Sequence, residues 1–339
     1  MNGRMRAIVA AAALTVATDA AAGSGTFGPK TMREDMPNRE VDRPVLMPKG
    51  WVELAVGYDY KHGVGSWTAD GKRNRWESAR WNLHTQTATA RYGLGNHVEI
   101  WASVPFKEGL LVNEPNGVRT FDWSIGDFKL GGRWAIWGEE DPQAQVALEA
   151  WYKGPSGNET PGSYIGGPLN VSRFVFTTGT PDTYFGLAAK KTFGPVAIGG
   201  RLGYSKRWSQ LVQYLVELET LQFLGRIKPG DLLTAEASVL GQAGPVAIEL
   251  VPRFGVRGTT AIGTTSPGLN PSKNLDDVVG SAGWTLDLDG RLYVNVTRNF
   301  DIIAWGSMPI RGEDLQFFPI EDIHPTLGNT FGGVVEVRY

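Results

Sequence analysis

Cysteine is absent from the 339 residues. That excludes a disulfide framework, a thiolate metal site and a lipid-modified cysteine at a processed N-terminus, so packing, hydrogen bonds and ion pairs must hold the chain together. Long apolar runs are also missing. The N-terminal stretch MNGRMRAIVAAAALTVATDAAAG comes closest, and its apolar part, Ala7 to Ala17, is about 11 residues where a spanning helix needs roughly 20. Nor does charge of one sign dominate. Lys and Arg number 33 against 35 Asp and Glu, and no basic tract is present, so nucleic acid is not expected as a partner.

What is present excludes a disordered chain: 42% of residues are hydrophobic and 11% aromatic, with 44 Gly and 12 Trp. At the N-terminus, Arg4 and Arg6 precede the short apolar run, and small residues follow at an Ala-x-Ala site. This three-part layout predicts that residues 1–22 are a secretory signal peptide cleaved after Ala22. Cleavage removes Arg4, Arg6 and Asp19 and leaves 31 basic and 34 acidic residues, a net charge of -3. An exported chain without a helix anchor has three destinations: the periplasm, the medium, or the outer membrane as a closed barrel.

Periodicity selects among them. From Trp51 onward, alternation recurs in segments of about ten residues broken by Gly, Pro, Asn and Asp, as in membrane-barrel strands. In WVELAVGYDYK, Val52, Leu54, Val56, Tyr58 and Tyr60 share one face, and Glu53, Ala55, Gly57, Asp59 and Lys61 share the other. Similar splits occur in residues 97–106, 127–137, 145–153, 195–206, 232–240, 246–257, 284–297, 301–311 and 331–339. Residues 79–94 and 182–193 alternate poorly and are placed by their turns. Short links, such as FGP at 193–195 and QAGP at 242–245, interleave with links of roughly 15 to 30 residues. Tight turns at one rim and long loops at the other are the layout of outer-membrane barrels. The expected fold is all-β, a transmembrane antiparallel up-and-down barrel of about 12 strands over residues 51–339.

Two segments stand apart. Residues 209–231 mix both periods and fit either an external hairpin or an amphipathic helix; treated as part of a long external loop, they leave every turn on its expected side. Residues 23–50 carry Pro29, Pro37, Pro44 and Pro48 and no periodicity, which fits a periplasmic N-terminal arm or a plug folded into the lumen.

The two faces differ in kind. A charge on the lipid face at mid-bilayer costs roughly 2 to 4 kcal/mol, so the charged face must look inward. The predicted lumen-lining residues are Glu53, Glu99, Asp127, Lys129, Arg133, Glu149, Arg201, Glu236, Glu249, Arg253, Asp287, Asp289, Arg291, Glu336 and Arg338. Asp59, Lys61, Lys153, Arg257 and Arg311 share that parity. The signs are mixed, which favours mutual salt bridging that holds the wall over a field selecting one ion. Trp101, Trp151, Tyr293 and Trp305 also fall on the charged face; they could stack on a solute or fill space, unless a bulge turns them outward. Trp51, Tyr92, Trp134, Tyr204, Trp284 and Tyr339 are expected in interfacial aromatic girdles. About 12 strands at roughly 4.8 Å spacing and a tilt of about 40° give a backbone radius on the order of 12 Å, a narrow pore.

RPVLMPKGWVELAVGYDY (43–60), ARYGLGNHVEIWASVPF (90–106) and KPGD (228–231) resemble the outer-membrane channel family found with aromatic-hydrocarbon and phenol meta-cleavage pathways. The resemblance covers most of the mature chain. It implies a channel for small, often hydrophobic, solutes and transfers no ligand-contacting residue; the expected protein is a monomeric barrel of the bacterial outer membrane for passive passage of a small, hydrophobic or aromatic solute. Tyr339 likewise resembles the C-terminal aromatic by which barrel proteins are recognised for assembly, implying the barrel-assembly machinery as a partner. A structural or surface-exposed barrel whose long loops bind a partner is the second reading.

Enzymatic sites are not expected. An outer-membrane phospholipase site would need His, Ser and Asn together on one outward face, and His62, His84, His97 and His324 show no such cluster in sequence. Asp322 and His324 meet an omptin-like pattern only superficially. GLGNHV (93–98) leads into a strand rather than a helix N-terminus, and DLDG (287–290) lacks the other ligands of a calcium loop, so neither a dinucleotide nor a metal is expected as cofactor.

Overall fold

The computed structural model describes residues 36–339 except 69, 76–78, 96, 114–117, 138–143, 157–178, 217–220, 264–274, 278–280 and 314–325. The expected signal peptide, the first part of the arm (23–35), and Asp322 and His324 lie outside the described residues.

After a 3-10 turn at Glu40–Asp42 come β1 (Val52–Gly63), β2 (Gly65–Trp67), β3 (Arg73–Arg75), β4 (Ala79–Gly93), β5 (Val98–Asn113), β6 (Val118–Ile125) and β7 (Phe128–Trp137). They are followed by β8 (Ala144–Gly154), β9 (Asp182–Phe193), β10 (Val196–Arg207), β11 (Gln210–Val216), β12 (Leu221–Lys228), β13 (Leu232–Ala243) and β14 (Val246–Arg257). The chain ends with β15 (Ala261–Gly263), β16 (Asp276–Asp277), β17 (Gly283–Thr297), β18 (Phe300–Glu313), β19 (Thr326–Leu327) and β20 (Thr330–Arg338).

Thirteen segments form one antiparallel sheet, in the order β4-β1-β20-β18-β17-β14-β13-β10-β9-β8-β7-β5-β6, and β4 pairs again with β5, closing the sheet on itself. β6 and β7 lie end to end along β5, against Phe106–Asn113 and Val98–Ser103 respectively, so the thirteen segments fill twelve positions round the barrel. Closure matters because an unpaired amide or carbonyl in hydrocarbon costs several kcal/mol. The seam joins the first strand to the last, from Glu53↔Arg338 to Lys61↔Thr330. The final residue completes it: Tyr339 N–H donates to the Val52 carbonyl at 2.9 Å and Val52 N–H to that of Tyr339 at 3.0 Å.

Tight turns lie at one rim. Gly194–Pro195 and Gly244–Pro245 join their strands in two residues, with glycine φ of 62° and 59° followed by proline's fixed φ, the sequence order of a type II′ hairpin turn. At the other rim β11 and β12 pair antiparallel where the sequence allowed an amphipathic helix; they stand beyond β10 and β13, β12 pairs with β15, and the ring keeps twelve positions.

The KPGD turn ties this hairpin down. Gly230 is needed there because a Cβ would lie 1.8 Å from the Gly258 carbonyl oxygen. Asp231 accepts hydrogen bonds from Tyr204 Oη (2.6 Å), Lys206 Nζ (2.8 Å) and the Arg207 backbone N–H (3.0 Å). Partial burial opposes ionisation, but these donors win and hold the carboxyl below its ordinary value.

Outward residues are apolar and exposed, among them Leu130, Trp134, Ile198, Ile248 and Leu250, while inward neighbours such as Glu53, Glu99 and Asp301 are buried. Two expected placements are corrected. Trp51 does not join the lipid-facing girdle: it is 3% exposed, packed with Met36 and Met47 of the arm, because the strand begins one residue later and the arm folds back over it. Arg311 does not face inward either. A register shift between Leu286 and Asp287 of β17 puts an extra residue, Ile310, in β18, which reverses the parity and lays Arg311 over the Trp284 ring at 6.0 Å.

Leu250→Arg, at a lipid-facing site, is expected to destabilise the folded barrel by about 2 to 4 kcal/mol in urea titrations in lipid vesicles. Asp231→Asn is expected to raise hydrogen exchange at the foot of the β11–β12 hairpin above about pH 4. Because the native carboxyl is depressed, its contribution exists above the unfolded pKa and vanishes as pH falls through the native one, so wild type and variant should converge on acidification.

Candidate functional site

The interior is occupied by the chain's own arm. Residues 36–50 run as irregular backbone across the rim that carries the tight turns, and wall side chains satisfy their backbone groups. Gln242 Oε1 accepts from Val41 N–H (2.9 Å), Gln145 Oε1 from Val45 N–H (2.6 Å) and Glu99 Oε2 from Met47 N–H (2.7 Å). Thr192 Oγ1 donates to the Val41 carbonyl (2.9 Å), and Lys190 Nζ donates to those of Glu40 and Arg43 (3.0 and 2.9 Å). Val41 packs among Ala197, Leu240, Ala247 and Tyr293, and Leu46 against Ala135 and Ala147. The described part of the arm, from Met36, thus lies against inward side chains of the wall.

A chain of alternating charges fastens it. Arg43 pairs with Glu40 and with Asp301, one bond of the latter at 3.0 Å; Asp301 also takes Arg338, whose Nε reaches Glu53 at 2.6 Å. Glu53 then accepts from Arg91 (2.9 Å), and Arg91 gives two 3.0 Å bonds to Glu99. Arg133 lies 3.6 Å from Glu99 and 3.4 Å from Glu149, and Arg201 closes the series on Glu149 at 3.3 Å. Glu99 and Asp301 are 0% exposed. Charges so placed persist only when paired on every side.

Glu336 joins this chain through Arg338. Arg253 reaches both oxygens of Asp289 at 2.9 Å, and Arg291 donates to Glu249 Oε2 at 3.2 Å, which also accepts from Tyr293 Oη at 2.6 Å. Asp127 lies 3.6 Å from Lys153. Lys129 sits 5.1 Å from the Trp151 ring centre. Glu236 and Asp287 have no ion pair among the described residues.

The charged-face aromatics keep their parity, since no register shift falls at them. They lie against glycines of neighbouring strands: a Cβ on Gly131 would meet the Trp101 ring at 2.6 Å, and one on Gly332 would meet Trp305 Nε1 at 2.3 Å. Trp151 stacks on Tyr184 with centroids 5.0 Å apart. On the outer face, His62 and His84 do gather with Asn82, contrary to the sequence expectation: His62 Nδ1 is 2.5 Å from Asn82 Oδ1, and His84 Nδ1 is 2.6 Å from Tyr58 Oη.

Between arm and wall remains a cavity of about 210 Å³, lined by Glu40 and Val45 of the arm and by residues of β7, β9, β10, β13, β14 and β17, including Lys190, Arg201, Glu236 and Glu249. Small residues leave this room: Ala188, Ala197, Gly199 and Ser238 face it.

No family model matches the sequence, and no curated protein does. Among solved structures, an outer membrane channel from Pseudomonas putida F1 overlays with a TM-score of 0.60 at 10% identity, covering 86% of this chain and 97% of that one. The fold is that of an outer-membrane β-barrel. The P. putida toluene transporter TodX overlays at only 0.40, with 10% identity over 86% and 90% of the two chains, a score too low to carry weight.

The arm's anchors were not legible as a site. Asp301, Lys190, Gln242 and Gln145 read as ordinary strand positions, and the one available signal was that Asp301 shares the parity of Trp305. Asp301→Asn is expected to destabilise the barrel by about 3 kcal/mol or more, because it leaves Arg43 and Arg338 buried with one carboxylate too few. Urea titration, read by loss of the compact electrophoretic form, measures it.

Proposed function

We propose that the protein is a monomeric outer-membrane channel for passive passage of a small solute, hydrophobic or aromatic in kind, with its own arm narrowing the mouth that carries the tight turns. The observation behind this reading is a closed barrel whose interior holds both an arm and an unfilled cavity between arm and wall. A barrel serving only as a surface scaffold has no need of either. The overlay on an outer membrane channel supports the fold on which the reading rests. Inward side chains at Trp101, Trp151 and Trp305 offer apolar surface beside the ionic rows, as a partly hydrophobic solute requires. Lumen-lining roles for the paired charges are mainly structural in this reading, since each sits in a contact that fixes one strand to the next. Tyr339, held in the closing seam, is the proposed assembly signal.

Conductance in planar bilayers tests the reading. Removing residues 36–47 is expected to raise single-channel conductance severalfold, and Arg43→Ala, which unfastens the arm from Asp301 and removes its pairing with Glu40, is expected to raise it or add flicker. A wild type and both variants that fold yet pass no ions would refute the channel. Unchanged flux on trimming the long loops, with loss of binding to a surface partner, would favour the scaffold reading.

A further inference from the structure

Lys129 of β7 differs from the other inward cations in what holds it. It has no hydrogen bond or ion pair among the described residues, and its ammonium rests over the Trp151 ring, 5.1 Å from the centre. In register it faces Ser103 of β5 and Lys153 of β8, so neither neighbour supplies a counter-charge. The carboxylates nearby are taken. Lys153 lies 2.7 Å from Asp182 and 3.6 Å from Asp127, and Arg207 stands opposite Asp182 in register, so two cations meet two carboxylates. Lys107, packed beside Gly126, adds a further cation on that side. Toward the tight-turn rim, Glu99 is held by Arg91 and Arg133, and Glu149 by Arg133 and Arg201. The Lys129 charge is left over.

The rings beside it are fixed to the wall. Tyr184 is buried over Gly186 and Gly203, where a Cβ would come 2.4 and 2.1 Å from its Oη, and Trp151 stacks on it with planes 7° apart. One indole face of Trp151 is thus spent on Tyr184, and Lys129 covers the ring from the β7 side. Trp101 lies alongside, over Gly131. Both Lys129 and Trp151 are only half-buried, and Lys129 stands farther from the tight-turn rim than Arg133, which lines the cavity. An ammonium over an indole is held by the ring quadrupole, more weakly than by a carboxylate that accepts its hydrogen bonds. We propose that Lys129 and Trp151 form a recognition site for the solute, and that the solute class is aromatic carboxylates: the carboxylate takes the ammonium, and the ring takes the indole surface. The inference rests on the channel reading and deepens it, naming the class of solute that meets this wall on its way to the cavity.

Block of potassium chloride current in planar bilayers tests the assignment, with benzoate, benzyl alcohol and acetate as probes and folding of each variant checked by its compact electrophoretic form. Wild type is expected to be blocked by benzoate at lower concentration than by the uncharged alcohol or by acetate, which lacks the ring. Lys129→Gln should raise the half-blocking concentration of benzoate about tenfold and leave that of benzyl alcohol unchanged, and Lys129→Arg should restore most of the benzoate block. Trp151→Leu should raise both values, by about threefold. Lys72→Gln, exposed between β2 and β3, should move neither. A folded wild type without conductance would overturn the channel reading together with this inference. A conducting wild type that acetate blocks as well as benzoate does, or whose benzoate block is indifferent to Lys129→Gln, would overturn the inference alone.

Discussion

Asp301 is the point on which the interior turns. It is fully buried and shared by two arginines from opposite ends of the chain, Arg43 in the arm and Arg338 in the last strand. A carboxylate in that position is tolerable only while its counter-charges are held in place, and each of them needs partners in turn. The requirement propagates: Arg338 recruits Glu53, Glu53 recruits Arg91, and so on through Glu99, Arg133 and Glu149 to Arg201. The series crosses β18, β20, β1, β4, β5, β7, β8 and β10, so one electrostatic constraint binds the seam, the arm and most of the inner wall.

This distribution makes the lumen lopsided. Where the charge series runs, long side chains fill the interior and the arm lies against them. On the β9–β10–β13 side the inward positions are mostly small, Ala188, Ala197, Gly199 and Ser238, and there the cavity remains. The end of the charge series reaches this space too, since Arg133 and Arg201 line it. The aromatic rings follow the same economy of space: Trp101 and Trp305 fit inside because glycine on the adjacent strand leaves room where a Cβ would collide.

The outer wall was largely legible from sequence because a charge facing lipid at mid-bilayer costs about 2 to 4 kcal/mol, and most strands alternate accordingly, β4 with Asn82, His84 and Gln86 on its outward parity being an exception. Departures came where that rule is silent. Arg311 lies beyond a bulge, and an inserted residue changes parity without leaving a compositional mark. Trp51 carries the signature of an interfacial girdle but meets the arm, and the arm has no periodicity from which its path could be read. Its backbone is recognised by side-chain amides and carboxylates spaced for that path alone, as with Gln242, Gln145 and Glu99. Residues 209–231 mixed two periods, and the strands there, β11 and β12, pair outside the twelve-position ring.

Sharing Asp301 also orders the assembly of the interior. The carboxylate lies on β18, and its wall partner Arg338 lies on β20, the strand that completes the ring against β1. Glu53 on β1 meets Arg338 only across that seam. Exposed pairs contribute only about 0 to 1 kcal/mol, so the strength of this pairing depends on the burial that the closed barrel provides. After closure the same groups are desolvated, and Arg43 becomes the cation that completes the charge balance around Asp301. Of the arm's anchors, the one through Asp301 is tied to the β1–β20 seam, whereas Gln145, Lys190, Thr192 and Gln242 hold it from β8, β9 and β13.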